Sequence, residues 1–417
     1  MTGKIYSICL CLFLWTNLIP AYSQEEGAAL LLIDSQDTTR VDLLDEMKEG
    51  MGPLYLDPRL PAFTVVSRNR KVAFGMGGYI RLTASQDVAG IMNNRDFLIN
   101  DIPMSYARAQ RSRFLMDIGT SRLFAKILAD TKFGRLQMAF DTDFRASSNG
   151  FRYSAIYFKL NGFLLGRYWT VMGDLDGYPP SIDYQGPNAF IGTSTYQISY
   201  QGTLYKKLSF GAGLEIPVYS IPDSLSNFKK NQTIPTLPIY LQYGSDWGHV
   251  RVASLLRPLY YMNTLNEKSE IAFTWGAVFS SCLKPVPPLT IYLQGVYGKG
   301  ICEYVFDLSG YGMDLFPNPD SPGKLKPHVF YGGLGGLKYQ FTPKFSASTI
   351  FSQLRLMRNG LNDPTLYRFG QYMTFTLYYK VTPKFEIATE YDHGRKVELS
   401  MDSGRANRLQ IAFRYDF

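Results

Sequence analysis

From Lys71 to Phe417 the sequence falls into segments in which apolar and polar residues alternate, and the connectors between them run short, long, short, long. Successive side chains of a β-strand point to opposite faces, so each segment carries one apolar and one polar face. Sixteen segments are read, near 72–84, 111–130, 135–145, 151–161, 163–172, 194–201, 207–216, 236–245, 247–258, 270–282, 288–300, 329–341, 344–356, 369–381, 384–394 and 407–417. The short connectors are 131–134, 161–162, 202–206, 244–246, 284–288, 342–343 and 382–383. The long ones lie near 85–110, 146–150, 173–193, 217–235, 259–269, 301–328, 357–368 and 395–406, and only 146–150 is brief. Two short turns share the word Thr-Pro-Lys-Phe, at 342–345 and 382–385. Turns on one side and loops on the other define an all-β fold, a transmembrane antiparallel barrel with periplasmic turns and extracellular loops. A soluble sandwich has hairpins too, but no reason to segregate loop length by side.

The final segment states the pattern most plainly. Leu409, Ile411, Phe413, Tyr415 and Phe417 alternate with Arg408, Gln410, Ala412, Arg414 and Asp416. The terminal aromatic, with another two positions before it, resembles the closing signal of bacterial outer-membrane barrels. Aromatics make up 15% of the chain, mostly Tyr and Phe, and tyrosine suits the two bilayer interfaces. Segment 111–130 changes parity near Gly119, which predicts a bulge there.

Residues 1–23 read as a secretory signal: Lys4, an apolar run over 5–18, and small residues at Ala21 and Ser23. Residues 24–70 form a periplasmic amino-terminal segment, acidic and broken by Pro53, Pro58 and Pro61, with a short amphipathic helix expected over 42–49. Two readings of it stand: a loosely ordered leader, or a helix that oligomerises the chain or plugs the channel. The barrel is expected over 71–417, where 37 basic residues face 26 acidic ones. Cys9 and Cys11 leave with the signal. Cys282 and Cys302 flank a spanning strand, too far apart for a disulfide, so two free thiols are predicted.

With the apolar faces toward lipid, the polar faces line the lumen. Leu136, Met138 and Phe140 then point out, and Gln137, Asp141 and Asp143 point in. The expected basic lining is Arg81, Arg135, Arg152, Arg167, His249, Arg251, Arg257, Arg408 and Arg414. The expected acidic lining is Asp141, Asp143, Glu386, Glu390 and Asp392. Arg408 and Arg414 are expected to pair across strands with the carboxylates at 386, 390 and 392. Arginine-rich lining favours anions and carboxylate lining cations, while wall ion pairs that only satisfy each other favour neither. The connector 171–193 is the candidate constriction. Its glycines and prolines suit a compact loop, and it carries Asp174, Asp176, Asp183, Tyr184, Gly186 and Pro187. An external surface loop accounts for the same spacing.

Residues 120–200 resemble the DcaP-like trimeric porins of Gram-negative outer membranes. The matching words are Ser121-Arg122-Leu123, the stretch 134–144, Phe151-Arg152 with Tyr157, Gly166 with Trp169-Thr170, and Asp183-Tyr184-Gln185-Gly186-Pro187-Asn188. The resemblance implies a sixteen-stranded homotrimeric barrel, an inward third extracellular loop, and uptake of small, often anionic solutes. It departs at Ser194 and Ser199, where the family tends to carry arginines, and at Arg167, where it tends to carry glutamine.

No metal-ligand spacing surrounds His249, His328 or His393, and no nucleophile elbow or phosphate-cradling loop occurs, so no enzyme activity and no cofactor are expected. Basic residues are spread among strands, which does not suit nucleic acid. The expectation is a passive porin of a Gram-negative outer membrane. Its partners are lipid, lipopolysaccharide, and small hydrophilic, mainly anionic solutes. The rival is a substrate-specific binding channel or an adhesin that works through its loops.

Overall fold

The computed structural model describes residues 31–33 (backbone only), 63–67, 71–88, 95–105, 112–146, 150–216, 219, 221, 225–231, 234–358, 360 and 363–417. The signal sequence and the expected helix over 42–49 lie outside these residues.

Sixteen wall strands follow in order. They are β1 (Val72–Val88), β2 (Ser112–Asp117 and Arg122–Thr131), β3 (Gly134–Asp143), β4 (Arg152–Leu160), β5 (Phe163–Trp169), β6 (Ser194–Tyr205), β7 (Leu208–Glu215) and β8 (Leu237–Ser245). Then come β9 (Gly248–Asn263), β10 (Lys268–Val286), β11 (Leu289–Lys299), β12 (Val329–Gln340), β13 (Phe345–Leu356), β14 (Tyr367–Lys380), β15 (Phe385–Glu398) and β16 (Ser403–Asp416). Each pairs antiparallel with the next, and β16 returns to β1 with a register from Asn407↔Val88 to Asp416↔Tyr79. Closure leaves no unpaired edge, the condition for strands to cross hydrocarbon.

All sixteen expected segments are present. The interruption in β2 falls at 118–121, around Gly119, where the parity change had marked it. The outward positions are exposed and apolar, as with Phe351, Met373, Phe375, Leu409, Phe413 and Tyr415. Their neighbours along the strands, such as Thr374, Thr376, Arg408 and Gln410, are buried. The choice of polar-inside alternation therefore holds.

Two short strands join the periplasmic end of the wall, a feature the sequence did not announce. Phe63–Val66 pairs with residues 73–76 of β1, and Leu31–Ile33 pairs with Phe63–Val66. Just above them the chain's last residue seals the seam: Gly78 and Phe417 exchange backbone hydrogen bonds of 3.0 Å each way. A Cβ at Gly78 would sit 2.2 Å from the Arg122 carbonyl oxygen, so this approach requires glycine.

Cys282, near the periplasmic end of β10, and Cys302, beyond the extracellular end of β11, are both free and buried.

Candidate functional site: a loop folded across the barrel

Residues 170–193, between β5 and β6, run inside the barrel and bind wall strands around much of its circumference. The loop enters against β7, where Glu215 accepts hydrogen bonds from Val171 N (2.8 Å) and Thr170 Oγ1 (3.0 Å). Arg251 of β9 stacks its guanidinium on Tyr240 (3.6 Å) and donates to the Val171 carbonyl (2.7 Å). Asp174 then meets His249 Nε2 (2.8 Å) and Ser280 Oγ (2.6 Å), on β9 and β10. Burial opposes ionisation of Asp174, but the His249 hydrogen bond and the Arg251 charge outweigh it and hold the carboxyl below the usual range.

The middle of the loop crosses to the opposite wall. Ser348 of β13 donates to the Pro180 carbonyl (2.8 Å). Pro179 lies so close to β12 that a Cβ on Gly336 would come within 2.7 Å of its side chain. Gly332, whose added Cβ would meet Ala189 at 3.1 Å, and Gly336 thus let the loop pack closely on the wall.

Glu390 of β15 is the central latch. Its carboxylate accepts from Ser181 Oγ (2.9 Å), Ile182 N (2.8 Å) and Asp183 N (2.7 Å), and from Thr376 Oγ1 of β14 (2.5 Å). Arg81 of β1 donates to the Ile182 carbonyl. Asp183 accepts from Gly186 N (3.0 Å) and from Phe97 N (3.3 Å) of the inward segment 95–105. Burial, then the Glu390 and Asp96 carboxylates, push Asp183 up to about 7. The return leg is held by Asn188 on the Gly370 carbonyl (3.0 Å), Ala189 N on Ser352 (3.1 Å) and Gln294 on the Ala189 carbonyl (2.9 Å).

A second inward loop backs the first. Gly192 N and Phe306 N bond Tyr304 and Phe190 carbonyls (3.0 and 3.1 Å), joining 170–193 to the segment after β11. That segment is held by Arg257 of β9, whose guanidinium pairs with Asp314 at 2.8 Å, both side chains fully buried.

On the side of β1 to β4 the loop borders a polar cleft lined by Thr83, Ser85, Arg95, Asp96, Asp117, Arg145, Asp183, Tyr184 and Gln410, among others. Tyr184 stands at its centre. The Arg145 guanidinium lies 3.9 Å from its ring centroid, and Arg152 donates to its hydroxyl (2.6 Å). Burial pushes that phenol up to about 12 although Arg152 pulls the other way. Arginines and carboxylates interleave here: Arg152 with Asp143 (2.5 Å), Arg95 with Asp117 (3.3 Å), Arg122 with Asp141, and Arg145 with Asp96.

The expected site residues scatter around this frame. Arg81, Arg152, His249, Arg251, Asp143, Glu390, Asp174, Asp183, Tyr184 and Gly186 converge on the loop. Pro187 caps its short turn by accepting from Phe190 N (3.0 Å). Asp141 holds Arg122 and Arg257 holds the second loop. Asp176 is exposed.

Four expectations need correction. Arg167 does not face the lumen. It is registered opposite the outward Ile156, continues the outward row Phe163 and Leu165, and lies 5.6 and 5.8 Å from the rings of Tyr153 and Tyr196. Arg135 keeps the expected inward side, in phase with Gln137 and Asp141, but sits low, at the periplasmic turn, paired with Asp130 at 2.6 Å, both partly exposed. Arg408 and Arg414 lie opposite Asp392 and Glu386 as expected, yet their ion pairs form elsewhere. Arg408 binds Asp87 of β1 (2.6 Å) and Arg414 binds Asp416 (2.6 Å). Asp392 instead accepts from Gln410 (2.5 Å). A strand has two neighbours, and for Arg408 the bidentate carboxylate of β1 wins.

Sequence reasoning missed Arg95, Asp96 and Arg145. Arg95 and Asp96 lie in a connector without periodicity, so only their charge marked them; Arg145 ends the expected segment 135–145 in phase with the inward Asp143, a parity that could have found it.

The closed wall, its apolar outer face and its inward loop define a sixteen-stranded antiparallel β-barrel of the kind that spans a membrane. No protein-family model and no curated protein matches the sequence. Among solved structures, the outer membrane channel DcaP of Acinetobacter baumannii is similar with a TM-score of 0.74 at 16% identity, over 84% of this chain and 99% of that one. An anion-selective porin from Comamonas acidovorans is similar with a TM-score of 0.55 at 10% identity, over 83% and 100%. Salmonella typhi OmpF, in complex with daunomycin, is similar with a TM-score of 0.51 at 11% identity, over 84% and 99%. The resemblance read from residues 120–200 is thus matched in fold.

Proposed function

We propose that this chain is a passive outer-membrane porin that admits small hydrophilic solutes with a mild preference for anions, and that loop 170–193 narrows its pore. The observation that carries this reading is the anchoring of that loop, from Glu215 at its entry to Glu390 at its crossing. A loop held by so many buried hydrogen bonds is a fixed part of the lumen. Beside it, Arg95, Arg145 and Arg152 stand among Asp96, Asp117 and Asp143 around Tyr184. Paired charges of both signs set up a field across the passage but leave little net charge, which supports a weak preference over a strong one. The excess of basic residues over 71–417 supports its direction. The homotrimer, lipopolysaccharide contact and the Gram-negative outer membrane belong to the same proposal. So do the division at residues 23 and 70 and the role of Arg81, Asp141, Glu386 and the other lumen charges as pore lining.

The test is planar-bilayer recording of the purified chain. Stable open steps in groups of three are expected, with a reversal potential in a KCl gradient displaced modestly toward chloride. Deleting 178–188 should raise the unit conductance. Silence, or steps that this deletion leaves unchanged, refutes the reading.

A further inference from the structure

The polar cleft beside the crossing loop suits a solute without charge. Several parts of the chain meet in it. Wall strand β1 contributes Thr83 and Ser85, the interruption of β2 contributes Thr120, and the inward segment 95–105 contributes Arg95 and Asp96. With Asp117, Arg145 and the loop they bound about 310 Å³ of open space, at the small end of the range for ligand sites.

Its charges are closed on one another. Arg95 pairs with Asp117 Oδ1 (3.3 Å), Arg145 lies 3.8 Å from Asp117 Oδ2, and Arg145 pairs in turn with Asp96. Two guanidiniums and two carboxylates thus form one row without net charge. Gly119 lets this row lie against the wall, since a Cβ there would come within 2.8 Å of the Arg95 guanidinium and 3.1 Å of the Asp117 carboxylate. Asp183, the remaining charged group of the lining, is engaged by the Phe97 and Gly186 amides. An anion or a cation seated here would have to displace a partner already in place. A hydroxyl would not, because it donates to a carboxylate oxygen and accepts from the neighbouring guanidinium while the ion pair stays intact.

The uncharged part of the lining calls for the same chemistry. Thr83 and Thr120 are buried, at 9% and 4% exposure, and neither hydroxyl has a hydrogen-bond partner among the described residues. A buried hydroxyl left unmatched costs free energy that a seated polar group recovers. Ser85, two residues along β1 from Thr83 and on the same inward face, adds a third hydroxyl. We infer that this cleft is a binding site for a small neutral polyol, a monosaccharide or a sugar alcohol, held between the row of Arg95, Asp117, Arg145 and Asp96 and the hydroxyls of Thr83, Ser85 and Thr120. The inference rests on the lumen being open to solutes, as proposed above, and names a class of solute that is captured on its way through.

The test is saturation-transfer NMR on the purified full chain, in a detergent without sugar head groups. The probes are glucose, ribose and mannitol, set against glycine and succinate. Saturable binding of at least one polyol in the millimolar range is expected, tighter than that of either charged probe. Replacing Thr83→Val and Thr120→Val together removes both hydroxyls with little change of shape and relieves two unmatched groups, so the barrel should form, and heat-dependent migration on gels checks that it does. Each hydrogen bond lost should weaken polyol binding about fivefold, roughly 25-fold for the pair. Absence of saturable binding by all three polyols overturns the inference. So does tighter binding of glycine or succinate, which makes the cleft a zwitterion or anion site. So too does equal polyol binding by the native and valine chains, which places the solute elsewhere. These measurements do not involve conduction, so their failure leaves the bilayer recordings untouched, and silence in the bilayer with polyol binding intact would sink the porin reading alone.

Discussion

Replacing Glu390 by alanine isolates the latch on the crossing loop. The carboxylate accepts hydrogen bonds from the Ile182 and Asp183 amides at 2.8 and 2.7 Å, and Ser181 and Thr376 add hydroxyls. Hydrogen bonds to a charged acceptor contribute about 1.5–3 kcal/mol each, and buried donors left unmatched cost a similar amount. Counting only the two amides, loop docking should weaken by about 3–6 kcal/mol. A tenfold change corresponds to about 1.4 kcal/mol, so exchange of those two amides should accelerate by roughly two to four orders of magnitude. The wall pairing of β15 with β14 and β16 uses backbone groups that the substitution leaves intact. Hydrogen–deuterium exchange over 178–190 should therefore rise while exchange over Phe385–Glu398 stays slow, and single-channel records should become noisier. Glu390→Gln keeps one acceptor oxygen and should fall between. Unchanged exchange at 182 and 183 in the alanine variant would refute the latch.

Further outcomes follow from the same geometry. Asp183 binds its proton more tightly in the folded protein than in an unfolded chain, at about 7 against an ordinary value of 3.8. Its contribution to docking is therefore full below pH 4 and is lost as the pH rises through 7; exchange of the 182–186 amides should quicken between pH 5 and 8, and Asp183→Asn should flatten that dependence. Arg257→Leu strands the buried Asp314 carboxylate and should destabilise the loop after β11 by about 3–5 kcal/mol, read as proteolysis within 300–316 of an otherwise heat-resistant barrel. Cys302 is fully buried and burial pushes its thiol well above the ordinary range, so maleimide should leave it unlabelled until the barrel is unfolded. Arg167→Gln should leave the reversal potential unchanged, because that side chain lies outside the lumen, whereas Arg145→Gln should shift it toward cations.

What was legible in the sequence was whatever the two-residue period controls. Lipid outside and polar groups inside force every wall strand to declare its faces, and turn length declares the sides. The break at Gly119 and the inward turn of His249, Arg251 and Arg257 followed from parity alone. Arg167 shows where inference from charge fails. Its own strand, with Phe163 and Leu165 in phase, already placed it outside, yet an arginine on the outer face contradicted the rule being applied. The structure resolves the conflict by setting it near the rim beside two tyrosines. Ion-pair partners were illegible for another reason. Asp392 and Arg408 are correctly opposed, but each strand has two neighbours, and side-chain reach decides between them. Arg95 comes from a connector whose path is set by the lumen it fills, whereas Arg145 ends the expected segment 135–145 on the inward parity and was legible there.

The crossing loop has a mechanical consequence. A hollow tube one strand thick flattens easily, because bending a sheet along its length costs less than stretching it. A member tied to Glu215 on one flank and Glu390 on the other acts as a tension bracket that keeps the cross-section round. Lateral pressure from the surrounding bilayer would then be borne partly by hydrogen bonds inside the tube. Shortening this bracket to widen the bore should soften the whole cylinder, so larger solutes would be admitted at the expense of rigidity.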